Sequence, residues 1–106
     1  MLVLRPGPGG GVRLSAGGHT VDVIITATLA ATRGPSALVK VRGSDRHIAR
    51  IVAYGAVQEL MVGPHRASFK VDRVTRSQVG LVFDLPAAVA ARFVRSYLTQ
   101  ELATPA

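Results

Sequence analysis

Apolar and polar side chains alternate with a period of two along most of this chain, and the extended strand is the element that sorts such a pattern onto two faces. Val21, Val23, Ile25, Ala27 and Leu29 fall on one side, with Asp22, Thr26 and Thr28 on the other. Ala37, Val39 and Val41 alternate with Lys40 and Arg42, Leu38 being the apolar exception on the charged side. After a turn at Gly43-Ser44-Asp45, the residues from Arg46 to Val52 form another extended run. Ala67, Phe69 and Val71 oppose Ser68, Lys70 and Asp72, and Val79, Leu81 and Phe83 oppose Gly80, Val82 and Asp84. Thr75-Arg76-Ser77 closes that last pair as a tight hairpin, and Gly17-Gly18, Arg33-Gly34-Pro35 and Gly63-Pro64 supply the other turns.

The period changes at the end of the chain. Asp84-Leu85-Pro86 is a helix-start signal, and Ala87 to Thr99 carries Val89, Phe93 and Tyr97 at steps of four, which predicts an amphipathic helix laying Phe93 and Tyr97 on the sheet. The halves also look alike. Val12-Arg13-Leu14, Gly17-Gly18, His19 to Leu29 and Ala37 to Arg42 have counterparts in Glu59 to Val62, Gly63-Pro64, His65 to Val74 and Ser77 to Phe83, with a hairpin loop that is long in the first copy (Ala30 to Ser36) and short in the second. The expected fold is mainly β: two β-meander units in tandem, forming a small sandwich-like or barrel-like body with one C-terminal α-helix. Residues 1–106 are read as a single domain, with 1–50 as the first repeat, 51–99 as the second and 100–106 as a frayed tail.

Several functions are excluded by what the chain lacks. At 106 residues there is one core and little room for an elaborate catalytic cleft. With no Cys there is no disulfide scaffold, thiolate metal site or cysteine nucleophile. No paired carboxylates, GxSxG or Ser-His-Asp order is present, and His19, His47 and His65 lack metal-ligand spacing, so neither an enzyme nor a metal or cofactor site is expected. Gly7, Gly9, Gly10 and Gly11 form a flexible turn rather than a phosphate cradle, because no Lys-Ser/Thr follows. The opening residues lack the apolar run of a secretory signal, and Val21 to Ala31 is too short and too polar to span a bilayer, so the expected location is the cytoplasm.

Charge points toward a polyanion. Lys and Arg number 13 against 6 acids, a formal +7, and eleven of the cations are Arg, whose planar fork binds phosphate in two places. Residues 1–50 hold seven of them and two acids. Lys40, Arg42, Arg46 and Arg50 recur at even spacing, which predicts a cationic stripe on one strand face. The same spacing also describes an ordinary solvated strand face, and stacking partners are few, Tyr54 and Tyr97 being the only tyrosines.

Two family resemblances follow from particular residues. Met1-Leu2-Val3-Leu4, then Pro8-Gly9 and Val12-Arg13-Leu14, resembles the N-terminus of the CsrA/RsmA carbon storage regulators. Ser77-Gln78-Val79-Gly80-Leu81-Val82-Phe83-Asp84-Leu85-Pro86 is similar to that family's second signature, a strand that runs into Ala-Pro and a C-terminal helix. Members are about half this length and act as intertwined homodimers, so the resemblance implies a single chain imitating that dimer. It further implies an RNA-binding repressor of translation, without a cofactor, that holds GGA-containing hairpin loops of mRNA and pairs with itself or with a CsrA-type partner. The site residues it implies are Leu4, Arg5 and Gln78, with Arg46 and Arg50 near the family's other RNA-binding strand in the first copy and Arg92 in the second. Pro6, Gly7 and Gly10 stand where the family has two arginines and a glutamate. The lost arginines leave a second outcome open, a protein-interaction module derived from CsrA that pairs through strand edges. Arg46-His47-Ile48-Ala49-Arg50, with Thr75-Arg76-Ser77-Gln78-Val79-Gly80, also resembles the PilZ pattern of an RxxxR loop and a later D/NxSxxG, which implies cyclic di-GMP binding. Thr75 stands where that pattern begins with Asp or Asn.

Overall fold

A computed structural model describes residues 2–31, 34–43 and 47–97. Nine strands form there, β3, β4, β5, β7 and β8 among them where the sequence alternates: β1 (Leu2–Leu4), β2 (Gly11–Ala16), β3 (His19–Ala31), β4 (Gly34–Arg42), β5 (His47–Ala53), β6 (Val57–Val62), β7 (His65–Val74), β8 (Val79–Asp84) and β9 (Ala90–Val94). They make two antiparallel sheets, one in the order β1-β8-β7-β6 and the other in the order β5-β4-β3-β2-β9. The alternating apolar residues meet between the sheets, where Val12, Leu14, Val23, Ile25 and Val39 pack with Phe69, Val71, Leu81 and Phe83. The Phe69 and Phe83 rings, tilted by 40° with centroids 5.7 Å apart, anchor the second meander to this core.

The halves correspond residue by residue. β2 and β6, and the starts of β3 and β7, are 46 positions apart (Gly11 and Val57, His19 and His65). The third strand of each meander carries a bulge at the same offset, between Ile25 and Ala27 in β3 and between Val71 and Arg73 in β7. Gly9 and Gly55 both adopt positive φ (88° and 79°), and each donates its N–H to the position-matched carbonyl, Ile25 or Val71, at 2.7 Å. At these two points the chain crosses from one sheet to the other, and the left-handed backbone there favours glycine.

The halves also trade strands. β1 leaves its own meander and pairs with β8, Leu4 opposite Leu81; its position match, β5, pairs with β4, Arg50 opposite Val39. β9 crosses back to pair with β2. The matched stretches therefore start at Leu2 and Ile48, which puts β5 with the second half.

Two expectations are corrected. The helix over 87–99 is replaced by strand β9, while its last residues and the expected frayed tail, 98–106, lie outside the described residues. Pro86 opens a turn, Val89 N–H donating to Pro86 O, and the chain then satisfies the open edge of β2. Phe93 is consequently 45% exposed, whereas Val94 and Tyr97 are buried against Ile24. The long loop over Ala30 to Ser36 is replaced by ladder, Leu29 opposite Ser36 and Ala31 opposite Gly34. No described helix is long and apolar enough to cross a membrane.

Candidate nucleic-acid interface

The outer face of the five-stranded sheet is set by register. Gly17-Gly18 is a two-residue turn that pairs Ala16 with His19 and so brings Arg13 opposite Asp22. Arg42 lies opposite Asp22 on the other side, His47 opposite Arg42, and Arg92 opposite Arg13. One row thus crosses all five strands: Arg92, Arg13, Asp22, Arg42, His47. Lys40 stands in the neighbouring row, opposite Ile24 and Ala49.

Asp22 is 6% exposed and organises the row. Arg13 Nε donates to its Oδ1 at 2.9 Å, Arg42 Nη2 to its Oδ2 at 3.5 Å, and the Tyr97 hydroxyl to Oδ1 at 2.8 Å. A buried carboxylate is tolerated only when partnered in this way. The hydrogen bond to Asp22 raises the Arg13 pKa above its ordinary value. Burial, and then the hydrogen bond to Asp22, push the Tyr97 phenol well above its ordinary value. The Arg42 guanidinium lies 5.6 Å from the centre of the Tyr97 ring, a cation–π contact that fixes it over the C-terminal segment.

The sequence-predicted residues separate into three groups. Lys40, Arg42 and Arg92 share the outer face just described. Arg50 does not join them. The β4–β5 turn pairs Arg42 with His47, so even-numbered residues of β4 share a face with odd-numbered residues of β5. Arg50 therefore lies on the side of Val39 and donates to Gln58 Oε1 of β6 at 3.3 Å. The single stripe read from even spacing is corrected accordingly, because a turn that joins positions of opposite parity flips the pattern. Arg46 lies outside the described residues. Leu4, half-buried on β1, packs on the core, and exposed Arg5 follows it. They run beside the β7–β8 hairpin that holds Gln78: Val79 N–H donates to Pro6 O at 2.8 Å, and Gln78 N–H donates to Thr75 Oγ1 at 3.1 Å.

Arg13, Asp22 and Tyr97 were missed as site residues. The Gly17-Gly18 turn was the signal for Arg13 and Asp22, whereas Tyr97 reaches Asp22 across 75 residues and left no local trace. The two pieces of the PilZ-like pattern fall on different sheets, Arg50 on β5 and Thr75 to Gly80 on the β7–β8 hairpin. No family profile, no curated protein sequence and no solved structure matches this chain.

Proposed function

We propose that the chain is a non-catalytic RNA-binding regulator of translation acting in the cytoplasm, in which two register-matched halves stand in for the intertwined pair of half-length chains that the carbon storage regulators form. The observation that carries this reading is the cationic row. Like charges directly opposite one another destabilise a sheet, and Arg13 and Arg92 are so placed. Among the described residues the row holds one buried acid, Asp22, which is taken up by Arg13, Arg42 and Tyr97, while Arg92 and Lys40 stand on the same face, and phosphates of a single strand suit these cations through charge-assisted bonds. The exchange of β1 and β9 between halves supports the same reading, because separate half-length chains making it would interlock. Around Leu4 and Arg5 the grip is weak, with Pro6 and Gly7 in place of cations, so the outer face is the principal contact and the GGA preference rests on the Leu4, Arg5 and Gln78 edge.

Electrophoretic retardation of an RNA hairpin with a GGA loop tests this. Lys40→Ala with Arg92→Ala is expected to weaken binding about tenfold while leaving thermal unfolding in place; unchanged affinity removes the outer face from the reading. One observation favours the interaction-module reading, in which a second copy or a CsrA-type partner pairs at a strand edge. β5 and β6 are edge strands carrying exposed Ile51, Val57 and Met61. Self-association without RNA retardation is the result that selects it, and calorimetric binding of cyclic di-GMP without RNA retardation selects the PilZ-like one.

A further inference from the structure

β2 and β6 hold matched positions in the two halves, yet only β2 is paired on both sides. β9 joins it over five residue pairs, from Gly11 opposite Val94 to Ser15 opposite Ala90, and sets Arg92 against Arg13. β6 has β7 as its one neighbour among the described residues and is the last strand of its sheet. Every second N–H and C=O along such an edge points away from the sheet, a row of groups that a further strand can pair. The first half therefore shows that this strand position accepts a second partner.

Register and charge say what kind of strand suits β6. Gln58 and Leu60 lie opposite the buried Phe69 and Ala67, so they turn inward, whereas Val57, Glu59 and Met61 turn outward, opposite Lys70, Ser68 and Arg66. Val57 and Met61 are 61% and 51% exposed. Glu59 is exposed between them and forms no ion pair among the described residues, Lys70 and Arg66 standing diagonal to it across the ladder. Where β2 presents Arg13, the matched position of β6 presents this acid. On the inner side a cleft of about 1110 Å³ lies between β5 and β6, with half-buried Ile48 and Leu60 in its lining. Opposite charges facing each other across a ladder stabilise it and like charges weaken it, so the place opposite Glu59 suits a basic residue and rejects an acidic one.

We propose that β6 is an acceptor edge for an extended segment of a partner protein, which adds a fifth strand to this sheet. The segment carries a basic residue opposite Glu59, apolar neighbours on either side that turn inward toward Ile48 and Leu60, and β-branched residues beyond them opposite Val57 and Met61. Backbone hydrogen bonds hold it, and its alternating side chains select it. The cations of the RNA-binding reading lie on the outer face of the other sheet, so neither site depends on the other.

NMR titration of the full chain with the peptide Val-Thr-Val-Arg-Val-Thr-Val, and with its counterpart centred on Glu, tests this. Saturable shifts of the Val57 to Met61 amides are expected with the Arg peptide, at concentrations about fivefold below those needed with the Glu peptide, the swing between opposite and like charges across a ladder. In Glu59→Lys, at an exposed position that leaves the spectrum dispersed, the preference is expected to reverse. Equal response to both peptides, or a preference that Glu59→Lys leaves unchanged, overturns the pairing with Glu59. Shifts confined to β2 and β9, or no shifts at all, overturn the acceptor edge. Shifts of the β6 amides that grow with protein concentration in the absence of peptide, together with a doubled mass in sedimentation, give the edge to a second copy and overturn the partner segment. Retardation of the GGA-hairpin RNA is expected to persist with the Arg peptide bound, and displacement of the RNA by the peptide would put both on one surface and overturn the assignment to β6. A chain that takes the peptide and retards no RNA keeps the acceptor edge and loses the RNA reading.

Discussion

At the scale of single residues, Asp22 is the side chain on which the outer face depends. It accepts from Arg13, Arg42 and Tyr97 at once, so Asp22→Asn takes a carboxylate away from all three. A loss of about 2 kcal/mol is expected in urea unfolding, in the range of hydrogen bonds to charged groups; a stability unchanged within error would show that the row holds itself without the acid. Tyr97 adds a dependence on pH. Its phenol is held above the ordinary value of 10.0, so above about pH 10 the unfolded chain releases a proton that the folded chain keeps. Stability from this group is complete below that pH and declines as pH rises beyond it. Tyr97→Phe is expected to flatten the alkaline limb of a melting-temperature profile while lowering stability near neutrality by about 1.5 kcal/mol. How far this site could be read in advance follows from distance along the chain. Arg13 and Asp22 are joined by a turn whose two glycines fix their register, whereas Tyr97 is brought in only by the closing of the whole sheet.

At the scale of elements, β9 and the crossing points carry the lesson. Alanines and a four-residue apolar step made 87–99 read as a helix, because local pattern is blind to an unpaired edge waiting elsewhere in the fold. The edge of β2 decides the outcome, and it reverses which side chain matters. Val94→Ala, buried beside Ile24 and Tyr97, is expected to cost about 2 kcal/mol, and Phe93→Ala less than about 0.5 kcal/mol. Chemical denaturation of the two variants checks this, and a costlier Phe93 would restore the helix. Strands β3, β4, β5, β7 and β8 were clear in the sequence, since alternation is local. What alternation could not show was parity across the β4–β5 turn, which sent Arg50 to the opposite face from Lys40 and Arg42. The crossing glycines offer an independent check on the correspondence of the halves. Gly9 and Gly55 share conformation and hydrogen bond, and a Cβ at either meets nothing within 4 Å. Gly9→Ala and Gly55→Ala should therefore each cost only the left-handed penalty, about 1–2 kcal/mol, and by similar amounts. Unequal losses in thermal unfolding would mean that the halves are matched in outline alone.

At the scale of the whole molecule, the two meanders are interlocked rather than placed side by side. β1 completes the sheet of the second meander and β9 extends that of the first, so neither half keeps its own terminal strand. The repeat was visible in the turns and alternation, but the trade was not, because pairing partners more than 70 residues apart leave no mark on local pattern. The trade has two outcomes of opposite kind: one side closes over Tyr97 and carries the cationic row, and the other leaves β6 as an edge beside a cleft. A chain built this way with a formal charge of +7 binds RNA, on this account, chiefly through phosphates. The most direct measurement is the affinity for a GGA-hairpin RNA, read by fluorescence anisotropy across a series of salt concentrations. Contacts from Arg13, Lys40, Arg42 and Arg92 to three or four phosphates predict that log K falls against log salt with a slope of about −2 to −3. Absence of binding at the lowest salt, or an affinity indifferent to salt, would contradict it.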